Sequence, residues 1–349
     1  MSASSPRLLA RDLLRRYARE PGAAQALEAG HSLFFHPSAP EAFIAYRRTA
    51  RAWVSVGEAV GATGDRERIV DAFIDHARRS GRRAVFFAVS SDFTESHALR
   101  AIEVAQEALY RPQDWEAQTR SRPSLRAQLR RAQTKGVCIE RVSTTWLREE
   151  LRAGGQVHSL ISDWLATRPL PPMGFLVQHD FLSMLEERSV WAARWQGEVV
   201  ALLVTLPIYP ARGEFFEHVL RRPHAPNGSV ELLIDAAMRA NAASGYSLVT
   251  LGMVPLGAAS TPPWLKLVAR ALTSLYNFRG LYAFRAKLGP AYWRPLYLAC
   301  PLGDSMLLAL VEVLRLFAEE TFMDFLLAPL RRLTREVSRK SLFTSARMS

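Results

Sequence analysis

Cysteine is nearly missing from this chain: 349 residues hold 2, Cys138 and Cys300, far apart. That spacing excludes a disulfide scaffold and a cysteine-rich zinc module. No run of about 18 apolar residues occurs, so no bilayer-spanning helix is expected. The N-terminal stretch has Arg7, Arg11, Arg15 and Arg16 but not the apolar core of a signal peptide, and the cytoplasm is the expected compartment. The 8 histidines form no His-Glu-x-x-His or similar cluster, so no metal is expected. There is no P-loop, dinucleotide fingerprint or Gly-x-Ser-x-Gly elbow. No cofactor is expected.

What is present is a globular composition, 49% hydrophobic and 22% charged, which excludes disorder, collagen and coiled coil as the main state. The length fits two domains or one large one. A net charge of +12, carried mostly by arginine, points to an anionic partner: nucleic acid, a phosphate ligand or an acidic lipid surface.

Along the chain, a short amphipathic helix is expected at 6–20 and a weak break at 22–30. Strands follow at 43–46 and 53–56, a helix at 65–80 stopped by Gly81, a strand at 85–89, a helix at 96–109 and a strand at 137–142. The second half repeats this order. Strands at 191–195 and 199–206 flank the turn Gln196-Gly197-Glu198, and a third covers 214–221. A helix opens at Asn227-Gly228-Ser229, then a strand at 246–251, a helix at 263–276 and closing strands at 281–287 and 292–299. Three antiparallel strands, a helix, a strand and a helix match the GNAT type of acyltransferase fold. The expected class is therefore α+β, two tandem GNAT-like units with a C-terminal helical extension. The expected divisions are an N-terminal helical segment at 1–30, a first unit at 31–142, a second, catalytic unit at 143–300, and basic amphipathic helices at 301–349.

The densest basic stretch, residues 118–137, has no acidic residue. Leu125, Leu129 and Ala132 give its helix at 123–135 one buried face. Arg126 with Arg130, and Arg131 with Lys135, are like-charge pairs at i,i+4, each costing a few tenths of a kcal/mol. An anion such as a tRNA backbone would relieve them; a solvated face is the plainer alternative. The turn Pro226-Asn227-Gly228-Ser229 precedes a helix whose free N–H groups suit a phosphate. It lacks the glycine spacing of a coenzyme A loop, which argues against acetyl-coenzyme A as donor. Glu217 and His218 are neighbours on a strand and should face opposite ways unless a bulge intervenes. Glu217 then shares a face with Val219 and Arg221, as an amine-holding pair or a structural ion pair. Arg285 and Lys287 are expected on one strand face, for phosphate or simply solvated.

Several runs resemble the aminoacyl-phosphatidylglycerol synthases, specifically the soluble catalytic domain of the lysyl- and alanyl-phosphatidylglycerol synthases, the multiple peptide resistance factor family. They are Phe216-Glu217-His218-Val219-Leu220-Arg221-Arg222-Pro223, Leu251-Gly252-Met253-Val254-Pro255, Tyr276-Asn277-Phe278-Arg279-Gly280-Leu281, Phe284-Arg285-Ala286-Lys287 and Trp293-Arg294-Pro295-Leu296-Tyr297. The resemblance covers roughly residues 30–300. It implies a tandem GNAT fold that takes aminoacyl-tRNA as co-substrate and moves the aminoacyl group to a lipid hydroxyl, most often that of phosphatidylglycerol. A soluble small-molecule or peptide acceptor, and a non-catalytic RNA- or lipid-binding relative, are the alternatives. On this reading Glu217 recognises the α-amino group, and His218, where many relatives have Asp, acts as base only if a bulge turns it inward. Arg221, Arg285, Lys287 and Arg294 hold phosphates, with Asn227, Gly228, Glu231, Gly252, Tyr276 and Asn277 beside the substrates. Arg126, Arg130, Arg131 and Lys135 take the tRNA acceptor stem through its backbone.

Beyond the resemblance, Met306 to Phe317 is apolar nearly all round except for a stripe at Glu312, Arg315 and Glu319. Arg331, Arg332, Arg335, Arg339 and Lys340 follow. Apolar bulk beside cations suits peripheral contact with an anionic membrane face; a helix docked on the second domain is the alternative.

Overall fold

A computed structural model describes residues 5–167, 181, 183–255 and 278–318. Helix α1 (Pro6–Tyr17) leads through a 3-10 turn (Pro21–Leu27) into the first half: β1 (Ser32–His36), β2 (Ala39–Arg48), β3 (Ala52–Val56), the two-residue β4 (Val60–Gly61), α2 (Thr63–Arg79), β5 (Arg83–Val89) and α3 (Ser91–Ser96). Strand β6 (Arg100–Tyr110), α4 (Trp115–Ser121) and α5 (Pro123–Thr134) follow. The second half holds β7 (Cys138–Val142), α6 (Thr144–Arg152), α7 (Gln156–Ala166), β8 (Ser189–Trp195), β9 (Glu198–Ile208), β10 (Gly213–Arg221), α8 (Ser229–Ala243) and β11 (Leu248–Pro255). Helix α9 (Phe278–Leu288), β12 (Tyr292–Cys300) and α10 (Met306–Ala318) complete the described chain.

All strands but β4 lie in one path, β1-β2-β3-β5-β12-β6-β11-β10-β9-β8-β7. Each half has three or four antiparallel strands, a crossover helix and a parallel strand. Ile69, Phe73 and Ala77 bury one stripe of α2, and Leu233, Ala237 and Asn241 one stripe of α8, so each helix packs back on its own sheet. The last strands are exchanged. β6 pairs with β11 of the second half, and β12 inserts between β5 and β6. Residues 100–142 accordingly pack with the second half: β7 pairs with β8, and α5 lies on α8.

Two expected elements are reversed. Residues 100–110 form strand β6, over most of the span read as a helix at 96–109. Ala, Glu, Gln and Leu favour a helix locally, but pairing on both sides overrides that preference. Residues 281–287 lie in helix α9, not in a strand; Leu281, Phe284 and Leu288 follow helical spacing. The helix expected at 263–276 lies outside the described residues.

Helix α10 docks on the first half rather than the second. Met306, Ala309, Leu310, Val313 and Leu316 are buried in the core that holds Val54, Val85 and Leu298. Of its polar stripe, Glu312 is buried and accepts a hydrogen bond from the partly exposed Arg315 at 2.7 Å, and Glu319 lies outside the described residues. Leu302, Leu307 and Leu308 stay exposed. The basic run at 331–340 lies outside the described residues.

Candidate active site

The parallel strands β10 and β11 pair over only three positions, Gly213–Leu248 to Phe215–Thr250, and then part. Both are irregular at the parting. β10 bulges against β9 between Phe216 and His218, and β11 shifts against β6 between Thr250 and Met253. Gly252 has φ +78°, and a Cβ there would meet the Phe215 ring at 2.9 Å. Arg285 donates to the carbonyls of Leu251 and Gly252 at 2.5 and 2.6 Å, pinning this backbone. Gly252 N–H itself donates to Thr250 Oγ1 at 3.0 Å.

The parting opens into a cavity of about 1140 Å³ between the halves. The bulge is the one on which the His218 expectation was conditional, and both Glu217 and His218 line the cavity. The Glu217 side chain is buried, with both oxygens engaged. Gln25 Nε2 donates to Oε1 at 2.9 Å, Arg188 Nη1 donates to Oε2 at 2.5 Å, and His218 Nε2 lies 3.1 Å from Oε2. The Arg188 side chain is 0% exposed. Burial works against ionisation of Glu217, but the His218 ring and Arg188 outweigh it and hold the carboxyl well below the usual carboxylate range. This carboxylate forms the ion pair that was one of the two alternatives, with Arg188 in the place expected of Arg221. The His218 ring packs against Phe181, with centroids 4.5 Å apart.

The expected phosphate cations are mostly committed elsewhere. Arg285, on a helix, serves the two carbonyls. Lys287 faces another side of that helix and pairs with Glu231 at 2.6 Å. Arg294 forks between Glu107, at 2.5 Å, and Glu20. Arg221 is exposed at the cavity and has no ion-pair partner among the described residues. Gly228 has φ +95°, and a Cβ there would strike the Gln128 carbonyl of α5, so its local role is close helix packing. Asn227 is exposed, and neither it nor Gly228 lines the cavity. Tyr276 and Asn277 lie outside the described residues. On α5, Leu125, Leu129 and Ala132 are buried as expected, while Arg130, Arg131 and Lys135 are exposed and Arg126 donates to the Arg120 carbonyl.

Sequence reading missed the N-terminal strap. Residues 20–28, which overlap the end of the expected helix at 6–20 and the weak break at 22–30, reach the cavity: Gln25 touches Glu217, and Glu20 touches Arg294. Burial first, then the Glu58 and Glu107 carboxylates, push the Glu20 carboxyl up to about 7 against the pull of Arg294. Arg188 was also missed; a lone arginine after Glu186-Glu187 carries no local signal. The lining also includes an apolar cluster, Phe87 and Val104 with Leu310, Val313, Leu314 and Phe317 of α10, beside the polar Glu58, Arg66, Ser90 and Asp92.

A strand–helix–strand layout present in both halves, with an opened parallel seam in the second, defines a fold of the tandem GNAT-like class. The family described as phosphatidylglycerol lysyltransferase, C-terminal, matches residues 11–300, and the chain belongs to it. It is 25% identical over 306 residues to the phosphatidylglycerol lysyltransferase of Bacillus subtilis (strain 168), covering 83% of this chain and 34% of that protein. The chain thus spans about a third of the length of such relatives. A crystal structure of the C-terminal domain of a putative lysylphosphatidylglycerol synthetase from Agrobacterium fabrum superposes with TM-score 0.74 at 25% identity, covering 88% of this chain and 94% of that one. The structure of L-PGS from Bacillus licheniformis gives TM-score 0.77 at 19% identity, covering 90% and 98%. Helix α10 lies beyond residues 11–300, the span that the family matches.

Proposed function

We propose that this chain transfers an aminoacyl group from aminoacyl-tRNA to the hydroxyl of an anionic lipid, phosphatidylglycerol first. The observation that carries the reading is the bulge at Glu217, which brings a carboxylate and an imidazole to a cavity whose lining also holds the apolar cluster of Phe87, Val104 and α10. That cavity suits an acceptor with a polar, hydroxyl-bearing head and an apolar tail.

The aminoacyl ester is already activated. The acceptor hydroxyl attacks the ester carbonyl carbon while His218 takes its proton. The ester bond to the tRNA ribose then breaks, and the ribose oxygen recovers a proton to leave as a free hydroxyl. Glu217, kept anionic by Arg188, orients the imidazole and offsets the charge it gains. Arg221 is the cation left for a phosphate at the cavity mouth. Arg126, Arg130, Arg131 and Lys135 bind the tRNA backbone. Leu302, Leu307 and Leu308 would face an anionic membrane surface next to that apolar cluster.

The test supplies the protein with tRNA charged with a labelled amino-acid mixture and vesicles containing phosphatidylglycerol. Label in an organic-phase lipid is expected, with His218→Ala slower by ~10²–10⁴-fold. Label appearing only in a water-soluble product replaces the lipid acceptor with a soluble one. No transfer in either phase leaves a binding protein.

A further inference from the structure

Outside the cavity, α9 carries an exposed aromatic stack. The Tyr282 ring lies over Trp293 of β12 with centroids 4.5 Å apart and planes 16° from parallel. Trp293 is half-buried against the core that holds Trp115, Leu125 and Leu129, so it is fixed from below. Tyr282 is 39% exposed. The pairs formed around Trp53, Phe73 and Phe86 differ, because they belong to a buried core cluster. An exposed ring held flat on a second ring loses little freedom when a third plate is added.

The charge beside it is one-sided. Arg122 lies against the end of α9: a Cβ on Gly289 would come within 2.3 Å of its Nε. Helix α5 starts at the next residue and packs on α9. Among the described residues no carboxylate pairs with Arg122, Arg126, Arg130, Arg131 or Lys135. The nearby acids are taken: Glu116 pairs with Arg120, and Glu231 with Lys287. The flat plate has a polyanion's counterpart at its side.

We infer that Tyr282, backed by Trp293, is a stacking platform for an unpaired base of a single-stranded RNA end whose phosphates run along α5. A stack accepts any base face, and arginines hold the backbone without reading sequence. The cavity is on the other side of the same helix, lined by Leu281, Phe284 and Arg285. A strand end stacked on Tyr282 is then about one helix width, roughly 10 Å, from the residues that line the cavity. The inference rests on the aminoacyl-tRNA reading and adds the place where the unpaired end is held.

The test measures binding by fluorescence anisotropy of a labelled five-nucleotide RNA ending in CCA, of the same backbone made abasic, and of a whole uncharged tRNA. Wild type is expected to prefer the CCA oligonucleotide over the abasic one. Tyr282→Ala should weaken CCA binding roughly tenfold and erase that preference, while Tyr282→Phe keeps both. The salt dependence of Tyr282→Ala should stay that of wild type, because phosphate contacts are untouched. The double variant Arg130→Ala/Arg131→Ala should flatten the salt slope and retain the base preference. If wild type binds tRNA but Tyr282→Ala binds the oligonucleotide equally well, the platform falls and the tRNA reading stands. If wild type binds none of the three RNAs, both fall.

Discussion

In the first half β3 and β5 run in step over five positions, from Ala52–Arg83 to Val56–Phe87; in the second, β10 and β11 separate after three. The same layout gives a closed seam on one side and an open one on the other. The closed seam ends in Gly57, whose N–H donates to Phe87 O at 3.1 Å, and in Glu58, which accepts from Ser90 N–H at 2.8 Å. The open seam ends in two bulges, a glycine pressed on an aromatic ring and a carboxylate with a wholly buried cation. The comparison teaches that the two halves share a frame and that each bulges at the end of its seam, at Ala88 in β5 and at Glu217 and Gly252 in the second half, while only the second seam parts early. A bulge breaks pairing and re-aims a side chain, so its cost has to be met by side chains such as Arg285 and Arg188.

The largest effect that would sharpen this contrast is at Arg188. Arg188→Met leaves Glu217 charged and buried, at a cost of about 3–5 kcal/mol. The matching change in the first half, Arg66→Met opposite Glu58, involves a pair 3.8 Å apart with the arginine one-third exposed, and should cost about 0–1 kcal/mol. Urea midpoints measure both. Adding Glu217→Gln to Arg188→Met should restore much of the loss, and equal losses at the two arginines would break the comparison.

Next come the glycines. Gly57→Ala meets nothing within 4 Å and carries only the strain of φ +72°, about 1–2 kcal/mol. Gly252→Ala adds a 2.9 Å contact with Phe215 to a similar strain, so it should lower the melting temperature further. It should also slow transfer; a Gly252→Ala protein as stable and active as Gly57→Ala would remove the seam from the site.

The smallest effect is pH dependence at the strap between the halves. Glu20 is raised from an ordinary 4.5 to about 7, so the folded protein holds this proton more tightly than the unfolded chain. Its contribution to stability is fully present below 4.5 and is lost as pH rises through 7. Glu20→Gln should flatten the decline of melting temperature across that window. An unchanged decline would assign it to other groups.

What was legible in the sequence divides along the same seam. Amphipathic helices at 65–80 and 123–135, and the hairpin around Gln196-Gly197, carry their signals in local spacing, and the structure has them within a few residues. The family runs located the Glu217 and Gly252 segments. Strand β6 was misread because Glu103, Ala105, Gln106, Glu107 and Ala108 are helix formers; only their partners on β11 and β12 make them a strand. The committed partners of Arg285 and Arg294 lie 33 and 187 residues away in sequence, and Gln25 lies 192 from Glu217. No local pattern encodes such pairings, so cations that looked free proved to be fasteners.

The exchanged strands also set an order of events during synthesis. β5 ends at Val89, and the strand that covers its edge begins at Tyr292. At about 5–20 residues per second, the ribosome takes on the order of 10–40 seconds to deliver that partner. Throughout that interval an edge bearing Ala84, Val85, Phe86 and Phe87 waits unpaired, a template for any other nascent strand. Closing so long a loop late is slow as well. Chaperone cover over the emerging first half, and rapid proteolysis of chains released before β12, follow from where one strand was placed.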